Sequence, residues 1–158
     1  MGDIVNLNAV RGIENMYKNQ CETPCDINEH LPTLSKYAKE CTTICEMGVR
    51  GIVSTWAFLH GLTQNTASNK KIICVDIEDI PRIHEVQSIA KAAAVDVSFI
   101  QGDSAKVDIP EVDMLFIDTF HVYAHLKREL AAHHSKVRKY IAMHDTEVDA
   151  IYGEALRL

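Results

Sequence analysis

Residues 42–62 read TTICEMGVRGIVSTWAFLHGL. The opening TTICE (42–46) is a short β-branched run, which suits a strand. MGVRG (47–51) follows as a turn, because Gly48 and Gly51 let the backbone bend tightly and come close to a ligand. A helix is predicted from about Ile52 to Leu62. Strand, glycine turn and helix in this order make the start of an α/β unit.

Downstream, KIICVDI (71–77) is nearly continuously apolar, as a strand covered on both faces should be. Pro81 suits the first turn of a helix that continues through Ile83, Val86, Ile89 and Ala90 to about Ala94. Further strands are predicted at 97–100, 114–118 and 140–143, with a helix at 122–133 and a last one starting after Asp149. Between Gly102 and Asp113 there is little room for a helix, yet ten extended residues span roughly 33 Å and can still cross a sheet. Upstream, Asp26-Ile27-Asn28-Glu29 reads as a capping box. The helix it opens carries Leu31, Leu34 and Ala38 and ends near Glu40. Residues 1–25 read as a polar N-terminal extension of one domain covering 1–158.

Strands alternating with helices predict an α/β, Rossmann-like, doubly wound sheet. It is mostly parallel, with about five strands in the order 3-2-1-4-5. Ligands then bind beyond the carboxyl ends of the strands, at the switch point near strand one. The predicted core is Ile44, Ile72, Ile73, Val75, Phe99, Leu115, Phe116, Ile117, Ile141 and Met143. An open apolar edge at the last strand calls for cover by the segment after Asp149 or by a second copy of the chain, a homodimer.

With 158 residues, 47% hydrophobic and 24% charged, the chain can bury a core without disulfides or structural metal. Its net charge of -6 gives no general attraction to a phosphate backbone, so nucleic acid is a poor partner. The start MGDIVNLNAV has no basic run and no apolar core, unlike a signal peptide. The apolar stretch 51–62 is too short to span a bilayer. Five cysteines, an odd number without an export signal, point to reduced thiols and a cytoplasmic location. Cys21 to Cys25 and Cys41 to Cys45 share a spacing that leaves a zinc reading open beside that of buried, inert thiols.

Acid or glycine signals close three successive strands. Glu46 precedes Gly48 and Gly51, and a carboxylate there suits a cationic ligand portion better than a pyrophosphate. Asp76 can accept hydrogen bonds from both ribose hydroxyls of a nucleoside. Gly102-Asp103-Ser104 offers a carboxylate and a hydroxyl to an adenine edge. Taken singly, each acid also reads as a solvated turn or cap residue.

FIDTFHVYAHLKREL (116–130) followed by YIAMHDT (140–146) resembles a branch of the class I S-adenosylmethionine-dependent methyltransferases. That branch includes cephalosporin hydroxylase-like enzymes and is related to metal-dependent sugar and catechol O-methyltransferases. EMGVRGIVSTWAFL resembles its glycine motif, VDIE its ribose acid and QGDS its adenine loop. The resemblance implies that Glu46, Gly48 and Gly51 lie at the amino-acid part of S-adenosylmethionine. It places Asp76 and Ile77 at the ribose, and Gly102, Asp103 and Ser104 at the adenine. Asp118 falls beside the methionine part or a divalent metal ion, with His144 and Asp145 completing the metal set. His144 stands where a carboxylate is usual, which favours a manganese- or zinc-like ion over magnesium. Thr119-Phe120 replaces the usual Gly-Asp, and the family's last two strands are lacking.

The implied reaction is methyl transfer to a hydroxyl of a sugar, glycan or other small acceptor. His121, His144 and Asp145 are the candidate catalytic groups, since a hydroxyl must lose its proton during transfer. The alternatives are a binding module for the same nucleoside ligand and an NAD-dependent oxidoreductase. Among the other histidines, His125, His60 and His84 read as surface residues. His133-His134 reads as a complement to a helix C-terminus.

Overall fold

A computed structural model describes residues 5–146. Strands β1 (Thr43–Met47), β2 (Lys70–Asp76), β3 (Val95–Gln101), β4 (Val112–Ile117) and β5 (Val137–Met143) form one sheet in the order β3-β2-β1-β4-β5. Every pairing is parallel, as expected from the apolar strand runs. Residues 102–111 pass from β3 to β4 without a helix.

Helices cover the two faces unequally. On one side lie α1 (Leu7–Glu22), α2 (Leu31–Ala38), α3 (Ser54–Thr63) and α4 (Ile83–Ala92), packed on Ile44, Ile72, Cys74, Met114 and Phe116. The other side carries α5 (Tyr123–His133), whose Leu126 and Leu130 pack on Cys45, Met47, Val75, Leu115 and Ile117. Alternating residues of each strand feed these two cores, because side chains of a strand point to opposite faces in turn.

Several expectations need correction. Residues 7–22, where the sequence reading expected no element, form a helix: Asn6 Oδ1 accepts from Asn8 N and Ala9 N, and Ile13 of the helix is buried. The Asp26 capping box does not form. A short 3-10 turn, Asn28–His30, precedes α2 without a side-chain cap, and the Asp26 carboxylate instead pairs with Arg50 at 2.9 Å. Ile141 and Met143 are not core. They are 39% and 41% exposed, because β5 has no neighbour on its outer side among the described residues. Phe99 is only partly buried. His60 is not a surface residue: it stacks on Tyr17 with ring centroids 4.0 Å apart and shares a hydrogen bond with Ser35. Cys41, Cys45 and Cys74 are buried free thiols. Near the start of β5, Arg138 pairs with Asp113 and Lys136 with Asp108. The helix expected after Asp149 lies outside the described residues. No helix among those residues is long and apolar enough to cross a membrane.

Candidate active site

The carboxyl ends of the strands are stitched together one residue beyond the ladder. Gly48 N donates to Val75 O (2.9 Å), Asp118 N to Met47 O (2.8 Å), Gly102 N to Asp76 O (2.8 Å) and His144 N to Ile117 O (3.0 Å). The turns that follow therefore share one edge. Around the β1 end they enclose a cavity of about 560 Å³, the size range of small-molecule and cofactor sites. Gly48, Asp76, Gly102, Asp103, Ser104 and Asp118 all line it.

Gly48 has φ +88, and a Cβ there would lie 2.0 Å from the Asp118 carbonyl oxygen. Only glycine lets the β1 and β4 ends come this close. The same turn holds Arg50 at φ 41 and Ile52 at φ 59, a region that costs side-chain-bearing residues energy. Gly51 is different. It does not line the cavity, and a Cβ on it would meet only Val53 Cγ2 at 3.6 Å.

Glu46 is placed beneath the turn and away from the cavity. Strand alternation puts it on the Ile44 side, facing α3. There it is fully buried, with Ser54 Oγ and Thr55 Oγ1, the first residues of α3, both donating to its carboxylate. Burial pushes its carboxyl up to about 7, against those two hydroxyls. Asp76 lines the cavity, but its oxygens hold the turn: Oδ2 accepts from Val49 N (2.8 Å) and Arg50 N (3.0 Å), and Oδ1 from Glu78 N (3.0 Å). Glu78, exposed and on the same wall, is the acid that sequence reasoning passed over. The second acid of VDIE was the available signal. Ile77 is 71% exposed on that wall.

On the third turn, a Cβ on Gly102 would meet Val107 Cγ1 at 2.9 Å. Lys106, 3.0 Å from Asp103, holds that carboxyl below its ordinary range. Ser104 is buried with its hydroxyl donated to Glu129 at 2.5 Å.

Asp118, His121, His144 and Asp145 converge. His121 Nε2 is 3.3 Å from Asp118 Oδ1 and 3.1 Å from Asp145 Oδ2. His144 Nδ1 lies 3.3 Å from Asp118 Oδ1 and 3.0 Å from Asp145 Oδ2, buried and without a hydrogen bond of good geometry. Asp145 reaches this place with φ 54. Asp118, His121 and Asp145 each offer a ligand atom within 4.8 Å of the others, so His121 stands in this group where the sequence reading expected His144. No cysteine belongs to such a cluster among the described residues. Two carboxylates facing one imidazole nitrogen make a donor set that suits a metal ion accepting both oxygen and nitrogen ligands. A second cavity of about 720 Å³ lies on the other side of the cluster, lined by Asp26, His30, His144 and Asp145.

No family model and no curated protein matches the chain. Solved structures do. A Podospora anserina methyltransferase, PaMTH1, crystallised with S-adenosylhomocysteine, superposes with a TM-score of 0.58 at 16% identity over 91% of this chain. The chain spans 64% of that protein's length. Cofactor-bound Rv0187 from MTB gives 0.53 at 16% identity, covering 94% of this chain and 75% of that one. A candidate caffeoyl-CoA O-methyltransferase from Staphylococcus aureus gives 0.51 at 14% identity, covering 84% and 69%. Through these matches the chain is shown to have the Rossmann-like fold of a methyltransferase crystallised with S-adenosylhomocysteine.

Proposed function

We propose that the chain is an S-adenosylmethionine-dependent O-methyltransferase domain. The cofactor occupies the 560 Å³ cavity and a small hydroxylated acceptor, a sugar among the candidates, occupies the 720 Å³ one. The observation that carries this reading is the position of the His121–Asp118–Asp145–His144 cluster, whose residues line both cavities. Methyl transfer needs an oxygen nucleophile in line with the sulfonium and a group to receive its proton. Asp118 and His121 border the first cavity and His144 and Asp145 the second, which supports this role for the cluster.

Within the cofactor cavity, Gly48 lets the turn approach the methionine part. Asp103 takes the adenine side. Glu78 supports the ribose better than Asp76, whose oxygens already serve three backbone N–H groups. Asp76 instead shapes the turn. The donor set of two carboxylates and imidazoles fits a manganese- or zinc-like ion held by Asp118, His121 and Asp145, with His144 against the same carboxylates. Such an ion would lower the pKa of an acceptor hydroxyl. Without an ion, His121 itself receives the proton as general base, oriented by Asp118 and Asp145. The polar groups of the second cavity, Asp26, His30 and Asp145, suit a ligand with several hydroxyls.

Incubation with methyl-labelled S-adenosylmethionine and a panel of monosaccharides and catechols tests the reaction. Methyl ether formation that falls on His121→Gln is expected. Cofactor binding without transfer to any hydroxyl acceptor contradicts the O-methyltransferase reading and returns the chain to a binding module.

A further inference from the structure

Glu129, in the middle of α5, is fully inaccessible. One of its oxygens, Oε1, accepts from Ser104 Oγ at 2.5 Å and from Thr119 Oγ1 at 2.6 Å. His125 Nε2 lies 3.2 Å from the same oxygen and 3.1 Å from Ser104 Oγ. Ser104 closes the turn after β3, Thr119 the turn after β4, and His125 belongs to α5, and all three line the first cavity. A single carboxylate thus ties together three walls of that cavity without facing it.

His125, Glu129 and His133 follow one another at intervals of four, which places them on one face of the helix. His133, also buried, donates from Nε2 to the Ser104 carbonyl at 2.7 Å. The helix therefore grips both the hydroxyl and the carbonyl of Ser104. This grip is costly: Glu129 Oε2 and His133 Nδ1 are buried without a hydrogen-bond partner among the described residues. An apolar stripe on the same face would avoid that penalty. A polar stripe aimed at one residue of a ligand-lining loop fits positioning better than core stability.

We propose that Glu129 is a positioning residue that holds the Ser104 and Thr119 turns in the geometry that receives the nucleoside half of the cofactor. The inference rests on the cofactor reading above. It also reassigns Ser104, whose hydroxyl proton is committed to Glu129 and does not serve the adenine edge directly.

The test is a double-mutant cycle read by calorimetry with S-adenosylhomocysteine on the full chain. Glu129→Leu should weaken binding about tenfold or more, the equivalent of one charge-assisted hydrogen bond. Glu129→Gln keeps an acceptor oxygen and should recover most of that loss. Ser104→Ala should weaken binding in the parent and add nothing on top of Glu129→Leu, because both remove the same link. A merely structural role would not give this non-additivity in affinity. Should Glu129→Leu fail to fold, Thr119→Val and Ser104→Ala carry the test, each expected to weaken binding several-fold and together by less than the product. Full additivity, or variants that bind as tightly as the parent, overturns the proposal while the cofactor reading stands. A parent that does not bind S-adenosylhomocysteine overturns the cofactor reading, and this inference with it.

Discussion

Gly48→Ala separates the two glycines that the 47–51 motif presents alike. At φ +88 an alanine is in left-handed territory, which costs roughly 1–2 kcal/mol. Its Cβ would also stand 2.0 Å from Asp118 O and 2.6 Å from Asp118 C, so a backbone carbonyl must retreat. That retreat strains the bonds Asp118 N to Met47 O and Gly48 N to Val75 O, each worth about 1 kcal/mol net. The sum is about 3–4 kcal/mol, a large part of a domain's stability. Gly51→Ala meets only Val53 Cγ2 at 3.6 Å and should change stability by less than about 0.5 kcal/mol. Urea unfolding followed by circular dichroism gives both numbers. Equal midpoints for the two variants would refute the claim that Gly48 alone sets the approach of β1 to β4.

Three further outcomes are expected. Glu46 has its folded-state pKa raised to about 7 from 4.5, so the folded state holds a proton that the unfolded state has released, and stability falls as pH rises from 4.5 to 7. Relative to Glu46→Gln, the parent should lose about 3 kcal/mol across that window; a difference between the two chains that does not change with pH contradicts the burial argument. Leu115→Ala, fully buried in β4, should cost roughly 2–5 kcal/mol, and Ile141→Ala, 39% exposed, less than about 2 kcal/mol; a reversed order in urea midpoints would misplace the sheet's edge. Manganese alone, followed by electron paramagnetic resonance, should bind the parent and be released by Asp118→Asn, and equal binding by both would dissolve the metal reading.

The sequence carried the sheet and its order well, because each strand run is either continuously apolar or bounded by turn residues. Residues 7–22 were missed since only Ile13 of that helix is buried, although Asn6 as a cap with Val10, Ile13 and Tyr17 behind it was a readable signal. Glu46 was legible as special but not in its direction. A charged residue in a covered strand needs donors, and the adjacent Ser54 and Thr55 could have supplied the clue. That Asp76 spends its oxygens on backbone N–H groups depends on how the turn closes, which no residue spacing reveals. The link from Glu129 to Ser104 and Thr119 joins positions 25 and 10 apart, beyond any local pattern.

Calorimetric titration of the chain with S-adenosylhomocysteine, and separately with NAD, tests the central claim most directly. One molar equivalent of S-adenosylhomocysteine should bind, with NAD giving no heat. Glu78→Ala should weaken the binding by about tenfold, the scale of a hydrogen bond from a ribose hydroxyl to a carboxylate. Absence of S-adenosylhomocysteine binding by the folded parent, or binding of NAD in its place, would contradict the account.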